Sequence, residues 1–353
     1  MTITYDPKHP KYLDEKDVRD ELTRVYDLCH GCRLCFKFCT SFPTLFDFID
    51  QHEDQDAGRL TPAQQDQVID ECFQCKLCYV NCPYIPGQSE WELDFPRLML
   101  RADAMRHTSD QVSLRDKVTT NVMGRTDLIG KIAVTTAPLM NKMMGAKPGS
   151  LVRKAIEVTS GVSSERVLPP FAKQRFTTWF NRRPKLKIGK RQGRVALFPT
   201  CLVEYQAPEV GHDLIKVYER NGIECSLADT TQCCGAPFLH SGDIESFTKI
   251  AEKNVKALAN TVRKGNDIVV PQPTCGYVLK KDYLDYVGGP DAELVAAHTF
   301  DASEYLMKIH KADGTALDTE FNGDVPETIT YHTPCHLRAQ NIGLKSRDLM
   351  KLT

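Results

Sequence analysis

The chain is organised around two cysteine-rich stretches, CHGCRLCFKFC at 29–39 and CFQCKLCYVNCP at 72–83. Each has the spacing Cys-x2-Cys-x2-Cys-x3-Cys, and together they hold eight of the 14 cysteines. Because the thiolate form of cysteine is a metal ligand, runs at such short intervals indicate metal-ligand sites. The candidate ligands are Cys29, Cys32, Cys35 and Cys39 in the first run and Cys72, Cys75, Cys78 and Cys82 in the second.

This spacing is typical of bacterial proteins that carry two cubane iron-sulfur clusters, in which the fourth cysteine of each run ligates the other cluster. A pair of four-cysteine zinc sites is the alternative. We do not favour it, because zinc sites usually pair two short C-x2-4-C elements. The sequence therefore predicts one [4Fe-4S] cluster on Cys29, Cys32, Cys35 and Cys82, and a second on Cys72, Cys75, Cys78 and Cys39.

Composition places the chain among globular proteins, with 41% hydrophobic and 26% charged residues. The first residues, MTITYDPKHPKYLDEKD, lack the apolar stretch of a signal peptide. No apolar stretch approaches the ~20 residues of a membrane-spanning helix. We therefore expect a reducing, cytoplasmic location, with peripheral attachment to the inner face of the cell membrane as a second option.

The net charge of −1 conceals three blocks. Residues 1–83, 84–194 and 195–353 carry −6, +12 and −7. The basic middle is expected to consist of helices joined by Pro/Gly breaks, and it can attract an acidic partner or an anionic membrane surface. We expect Met123, Met140, Met143 and Met144 to be core filler more often than a docking surface. A solvated linker, and not a nucleic-acid site, is expected at Arg182, Arg183, Lys185, Lys187, Lys190, Arg191 and Arg194.

Helical spacing of apolar residues predicts a helix at 14–28 that leads into the first run, helices between the runs, and another at 96–105. From residue 194 the pattern changes to alternating strands and helices. Strands are expected at 194–198, 223–227, 267–270 and 328–332, with a long amphipathic helix at 244–262. Such alternation predicts a mostly parallel sheet covered by helices, with the site on loops at the strand ends.

The remaining cysteines follow those strands. Cys201 ends the first, Cys233-Cys234-Gly235 follows the second, Cys275 the third and Cys335 the fourth. We expect them to converge at one edge of the sheet. Cys225 lies inside a strand and is interpreted as a buried, inert thiol. For His332 and His336, local hydrogen bonding is favoured over metal ligation.

With these motifs, the segment resembles the cysteine-rich "CCG" domain of heterodisulfide reductase and its relatives. Together with the two runs and the basic helical middle, the order resembles the C subunit of anaerobic glycerol-3-phosphate dehydrogenase. The motifs YHTPCH at 331–336 and CCGAP at 233–237 are especially similar. Glycolate oxidase, lactate-utilisation and rubrerythrin-linked iron-sulfur proteins are built from the same parts.

The resemblance implies a subunit that takes electrons from flavin subunits and passes them toward membrane quinone. It also implies a motif that ends in Cys-x2-Cys and occurs twice. Here Val278 stands at the last cysteine of the first motif, and the second copy begins at Cys335 but ends with the chain at Thr353. We expect an incomplete second copy, from truncation or loss. Candidates for a third iron-sulfur cluster are Cys201, Cys233, Cys234, Cys275 and Cys335.

The predicted fold class is α plus α/β. It comprises a helical two-cluster ferredoxin-like domain at 1–95, a basic helical connector at 96–193 and a CCG-type α/β domain at 194–353. The predicted function is an electron-transfer subunit with a flavoprotein dehydrogenase as partner, and no catalytic residues or nucleic-acid partner are assigned. Two alternatives stay open: a redox partner of a rubrerythrin-type peroxidase, and a heterodisulfide-reductase-like catalytic subunit. The sequence leaves open whether the chain is itself an enzyme.

Overall fold

The computed structural model describes residues 4–186, 188–230, 232–324 and 326–353. By its internal contacts the chain divides into two compact units. The first consists of Met1–Val112, Phe238–Glu245 and Arg338–Asn341, and the second of Ser113–Pro237, Ser246–Leu337 and Ile342–Thr353. None of the described helices combines the length and the apolarity of a membrane-spanning segment.

The first unit is built mainly from helices that surround the two cysteine runs. Helix α1 begins after Asp14, whose side chain accepts the Asp17 N–H, and it ends at Arg33, which adopts a left-handed conformation. The helix predicted at 14–28 is therefore confirmed, and it continues through Cys29. The helices are α1 (Glu15–Cys32), α2 (Ser41–Asp50), α3 (Pro62–Asp70), α4 (Leu77–Asn81) and α5 (Phe95–Thr108).

The apolar faces of these helices form one core. Leu22 and Tyr26 of α1 pack with Phe42 of α2 and Phe95 of α5. The rings of Phe42 and Phe95 lie 4.7 Å apart between centroids. Full burial of such a side chain stabilises the fold by about 1.5–3 kcal/mol. This core supports the backbone from which the cysteines of both runs project.

A fully buried arginine ties the start of the chain to two helices of this unit. Arg101 of α5 donates to the carbonyls of Thr4 (3.2 Å), Lys11 (2.6 Å) and Tyr12 (2.8 Å). Its guanidinium also lies 2.7 Å from the Asp17 carboxylate of α1. These partners offset the free-energy cost of burying the guanidinium, because an unpaired charge is costly to bury.

The second unit begins with a helical segment that leaves many apolar side chains exposed. Met123 and Met143 are 54% and 41% exposed, so the prediction that they fill the core is wrong for this pair. Only part of the apolar surface of these helices is buried within the described residues, because Gly130 packs on the Tyr205 ring whereas other apolar side chains face solvent. The helices are α6 (Leu114–Gly124), α7 (Thr126–Thr135), α8 (Ala137–Met144), α9 (Leu151–Ser160) and α10 (Phe176–Arg182).

The rest of this unit comes from the predicted α/β segment, of which residues 238–245 and 338–341 belong to the first unit. Its four-stranded sheet is entirely parallel, with the order β2-β1-β3-β4, and Val195 of β1 pairs with Cys225 and with Asp267. The strands are β1 (Gly193–Leu197), β2 (Ile223–Leu227), β3 (Asp267–Val270) and β4 (Thr299–Asp301). The helices are α11 (Thr200–Tyr205), α12 (Pro208–Arg220), α13 (Ala236–Leu239), α14 (Ile244–Arg263), α15 (Pro273–Tyr277), a π-helix (Val278–Asp282), α16 (Tyr283–Tyr286), α17 (Gly289–Ala297), α18 (Ala302–Lys311), α19 (Cys335–Ala339) and α20 (Lys345–Met350).

The fourth predicted strand is wrong. Residues 328–332 form no strand, and Ile329 in this segment is 52% exposed. The edge of the sheet is instead β4, in which Thr299 pairs with Ile268 of β3. Alternating Thr, Ile, Thr and Tyr has the composition of a strand, but a strand also needs a neighbour to satisfy its backbone and a face to bury. The three residues of β4 are too few to give a pattern.

The basic run is only partly a solvated linker. Arg183 has a side chain that is 5% exposed, and it pairs with Glu219 at 2.6 Å. Its guanidinium also stacks on the Phe180 ring, with 3.7 Å between its central carbon and the ring centroid. The others in the described part of the run lie on the surface. Lys187 lies outside the described residues.

Candidate metal centres

The first cysteine site forms where the end of α1 meets the segment after α4. Cys29 and Cys32 occupy the last turn of α1, and the left-handed Arg33 (φ 54°) turns the chain so that Cys35 comes back toward them. A small cavity is lined by Cys29, Cys32, Cys35 and Cys82, together with Pro83 and neighbouring apolar side chains. Three thiols of the first run and the last thiol of the second thus face one cavity.

Electrostatics reflects the same grouping. Burial raises the pKa of the Cys29 thiol well above its usual value, and Cys35, Cys82 and Cys32 add to the rise. The pKa of Cys35 rises to about 12, first by burial and then through Cys82 and Cys32. The Tyr84 N–H donates to the Cys82 sulfur at 3.4 Å. Thiols that oppose one another's ionisation in this way are close neighbours, and a bound cation would relieve their repulsion.

The second site gathers the other four cysteines of the runs. Burial raises the pKa of Cys72 to about 12, and Cys39 contributes to that rise. The pKa of Cys78 is raised well above its usual value, by burial first and then by Cys72, Cys35 and Cys75. Cys39 of the first run therefore lies near Cys72 of the second. Cys35 also faces both groups, since Cys39 and Cys75 act on its pKa.

A buried lysine accompanies this second site, and the cysteine spacing does not single it out. Lys76 is 4% exposed, and its Nζ donates to Gln74 Oε1 at 2.8 Å. Gln74 in turn donates from Nε2 to the Cys72 sulfur at 3.7 Å. Both residues adopt left-handed backbone conformations, with φ of 52° and 63° for Gln74 and Lys76. Left-handed residues on either side of Cys75 turn the chain so that the cysteines lie to one side, with the Lys76 cation beside them.

The third site lies at the carboxyl ends of three parallel strands. Cys201 is in α11 after β1, Cys233 and Cys234 follow β2, and Cys275 is in α15 after β3. Cys233 shifts the pKa values of Cys201 and Cys234, both of these shift the pKa of Cys233, and Cys275 contributes to the shifts of Cys201 and Cys234, so the four thiols are close neighbours. The structure therefore brings these four together, as the strand-end argument predicts.

The pKa values of three of these thiols are shifted in different directions. The pKa of Cys233 is lowered to about 3, because the Cys201 and Cys234 thiols donate to its sulfur. The pKa values of Cys201 and Cys234 are correspondingly raised, chiefly by the same hydrogen bonds. The Gly235 N–H also donates to the Cys233 sulfur at 3.4 Å. Cys233 therefore ionises before Cys201 and Cys234.

A buried polar frame holds the Cys233-Cys234 pair, and sequence reasoning missed it. Asn254 of α14 donates from Nδ2 to the Cys233 carbonyl and to the Tyr283 hydroxyl, both at 2.9 Å. The Tyr283 hydroxyl donates to the Cys234 carbonyl at 2.9 Å. Both side chains are fully buried. The signal was available, because Asn254 is a polar residue on the mainly apolar stripe of α14.

Cys335 does not follow a strand. It begins α19, and the next residue places this turn beside the Cys275 loop. His336 Nδ1 shares a hydrogen bond of 2.8 Å with Thr274 Oγ1, and its ring stacks on Tyr277 with 5.4 Å between centroids. His336 therefore takes part in local hydrogen bonding, as expected.

Cys225 is half-buried in β2, away from the strand ends. Its thiol donates to the Ile223 carbonyl at 3.5 Å, and burial raises its pKa. A raised pKa keeps the thiol protonated at neutral pH, which agrees with an inert role.

Within the described residues, no group of three or more His, Cys, Asp or Glu side chains could hold a metal ion as it stands. We therefore infer cluster binding from the proximity, burial and spacing of thiols. The donor set fits an iron-sulfur cluster, since each of the three groups offers four cysteine sulfurs and such clusters are held by four cysteine thiolates.

Comparison with known proteins gives the same classification. The family described as "Cysteine-rich domain" (CCG) matches residues 195–280. Over 232 residues, the chain is 28% identical to the C subunit of anaerobic glycerol-3-phosphate dehydrogenase from Escherichia coli (strain K12), covering 65% of this chain and 56% of the relative. Over 166 residues it is 33% identical to the B subunit of fumarate reductase (CoM/CoB) from Methanothermobacter marburgensis, covering 46% and 30%.

A third relative, lactate utilization protein A of Geobacillus thermodenitrificans, is 27% identical over 148 residues, covering 41% of this chain and 58% of the relative. The chain thus spans little more than half, or less, of these curated relatives. No solved structure matches it. The resemblance drawn from the cysteine motifs is confirmed: the chain carries a cysteine-rich CCG domain and is similar to the C subunit of anaerobic glycerol-3-phosphate dehydrogenase.

Proposed function

We propose that the chain is an iron-sulfur electron-transfer subunit of a respiratory-type oxidoreductase. It passes electrons between a flavin dehydrogenase, such as glycerol-3-phosphate dehydrogenase, and quinone. The observation that carries this proposal is the cavity lined by Cys29, Cys32, Cys35 and Cys82, which joins two distant segments in the pattern of a two-cluster ferredoxin. Relatives that are named as subunits of a dehydrogenase and a reductase support an electron-transfer role.

The proposed ligand sets follow from the thiol neighbourhoods. Two [4Fe-4S] clusters occupy the ferredoxin-like domain at 1–95, and a third cluster occupies the CCG domain at 194–353. When bound, these groups supply one-electron steps. The third set consists of Cys201, Cys233, Cys234 and Cys275, with Cys335 as a nearby candidate. Val278, at the position where the resemblance implies a fifth cysteine, is 1% exposed and begins the π-helix after α15.

The protein's own groups prepare these sites in three ways. Burial of the thiols excludes water. Backbone and amide N–H groups of Tyr84, Gln74 and Gly235 donate to ligand sulfurs, which stabilises negative charge there. The buried cation of Lys76 lies beside the second set. Burial and hydrogen bonds to sulfur are the levers by which proteins set cluster potentials.

We also propose that the helical segment α6–α9 contacts an anionic membrane surface, where quinone is found. This segment belongs to the block with a net charge of +12. Its exposed apolar side chains include Leu151 (86%) and Val158 (75%) on α9. Apolar side chains flanked by lysine and arginine are the composition of helices that lie on membranes.

Co-purification from the native host tests the proposed function. A flavoprotein dehydrogenase bound to the chain, with electrons from its substrate reducing the clusters, is the expected result. Recovery of a rubrerythrin-type peroxidase in its place would overturn the proposal. A matched preparation in which Cys82 is replaced by serine tests whether the first cysteine site accepts these electrons, because it should keep the partner but be reduced more slowly.

A further inference from the structure

A buried hydroxyl from outside the CCG domain lies near the CCG centre, the group of Cys201, Cys233, Cys234 and Cys275. Thr126 is the first residue of α7, and its Oγ1 is buried with no hydrogen-bond partner among the described residues. A buried hydroxyl without a partner costs free energy, so it needs an explanation.

The surroundings of Thr126 show where its hydroxyl points. The neighbouring Asp127 accepts the Cys233 N–H at Oδ2, at 2.8 Å, so this turn of α7 lies directly on the Cys-Cys pair. Thr126 is the residue before Asp127, so its buried hydroxyl lies beside the segment that carries Cys233.

The start of α7 is also held firmly in place. The Tyr205 hydroxyl of α11 donates to the Asp127 carbonyl at 3.2 Å and approaches its Oδ1 at 3.4 Å. One turn later, Gly130 packs so closely on the Tyr205 ring that an added Cβ would lie 2.5 Å from Cδ2. These contacts fix the position of Thr126 relative to the thiols.

We propose that Thr126 is a positioning residue of the CCG centre, whose hydroxyl donates a hydrogen bond to the Cys233 sulfur when that sulfur is a deprotonated cluster ligand. The inference rests on the proposed function, because it assumes a cluster at this site. A donor to a ligand sulfur favours the more negative, reduced state of the centre, and so raises its reduction potential. The connector thus tunes a centre to which it contributes no ligand.

Redox titration of the full chain, followed by the EPR signal that Cys234→Ser abolishes, tests this role. Thr126→Val keeps the shape and removes the donor. At a fixed solution potential, this variant should lower the ratio of reduced to oxidised CCG centre about tenfold, which is ~59 mV for a one-electron couple. Thr126→Ser should restore the wild-type potential. Thr135→Val is the matched control, because Thr135 is exposed on the same helix and its hydroxyl donates to the Lys131 carbonyl.

Different results would overturn the role of Thr126 and the presence of the third cluster. A wild-type potential in Thr126→Val and in Thr126→Ala, with the signal intact, overturns the role of Thr126 and leaves the cluster in place. Unchanged iron content and EPR spectra in Cys234→Ser would remove the third cluster, and the inference with it, while the clusters of the two runs would remain.

Discussion

Side chains other than the cysteines set the charge around the thiols. Lys76 is the clearest case. Its ammonium is buried beside the second cysteine set, where it offsets negative charge. Lys76→Met keeps the length of the side chain and removes the cation. We expect the potential of the second cluster to become more negative, measured by EPR redox titration.

Lys37→Met is the control for that variant, because Lys37 lies between two cysteines of the first run and is exposed. It should leave both potentials near the wild-type values. A Lys76→Met protein with wild-type potentials and full iron content would show that this cation has no electrostatic role.

Asn254 gives a prediction about stability. Asn254→Leu removes the donor to the Cys233 carbonyl and leaves buried polar groups unpaired, each of which costs about 1–3 kcal/mol. We expect a loss of roughly 2–4 kcal/mol in the free energy of unfolding, measured by chemical denaturation of the iron-free chain. Asn260→Leu, at an exposed position of the same helix, should stay within about 0.5 kcal/mol. Equal losses in the two variants would contradict the buried frame.

At this scale the sequence predicted the cysteines and missed their polar neighbours. Short fixed intervals indicate a ligand run, because the ligands and the centre they share impose the spacing. Asn254 and Thr126 come from distant segments, so no spacing links them to Cys233. Only Asn254 could be noticed locally, as a polar residue on an apolar stripe.

At the scale of elements, the strand ends organise the third site more than any motif does. Three strands were predicted within one residue of their observed bounds, and their carboxyl ends bring Cys201, Cys233 and Cys275 together. The fourth strand was predicted in the wrong place. The observed strand, Thr299–Asp301, pairs through its backbone with β3 and is too short to show an alternation of apolar and polar side chains. Cys335 nevertheless lies beside this edge, because His336 contacts Thr274 and Tyr277.

Arg101 gives a prediction about how elements are joined in the first unit. Arg101→Met removes a fully buried cation that binds three carbonyls and Asp17, and the Asp17 carboxylate then loses its closest partner. Breaking a buried pair on one side typically costs about 3–5 kcal/mol. We expect a loss of about that size in the free energy of unfolding, seen as a lower denaturation midpoint.

Arg97→Met is the control, because the Arg97 side chain is 44% exposed and its Nε lies 3.6 Å from Asp94 Oδ2, which is a long distance for an ion pair. Its effect should be within about 1 kcal/mol. An Arg101→Met protein that unfolds at the wild-type midpoint would show that the start of the chain is held by other contacts.

At the scale of the whole molecule, charge and apolar exposure set the expected membrane contact. The full chain should sediment with vesicles that contain phosphatidylglycerol, and less so as salt rises, because salt screens the attraction. The double variant Leu151→Glu/Val158→Glu should reduce the bound fraction severalfold. Val210→Glu, at a position 47% exposed on α12, is the control and should bind like the wild type. Binding that ignores both lipid charge and salt would contradict this contact.

The block of positive charge was visible in the sequence, whereas the exposure of its apolar side chains was not. Helical periodicity gives an apolar stripe but cannot say whether another element covers it. The methionines were therefore expected in a core, although two of them are exposed. Arg183 was the opposite case, because its partners Glu219 and Phe180 could be identified only from the fold.

If the two cysteine runs hold iron-sulfur clusters in shared sets, iron and acid-labile sulfide can be counted on anaerobically prepared protein. We expect at least about eight iron and as many sulfides per chain, with cubane EPR signals after reduction, since each cubane holds four iron. Any iron above that number is assigned to the CCG centre and should disappear in Cys234→Ser. Stoichiometric zinc without labile sulfide would instead show that the cysteine runs form zinc sites.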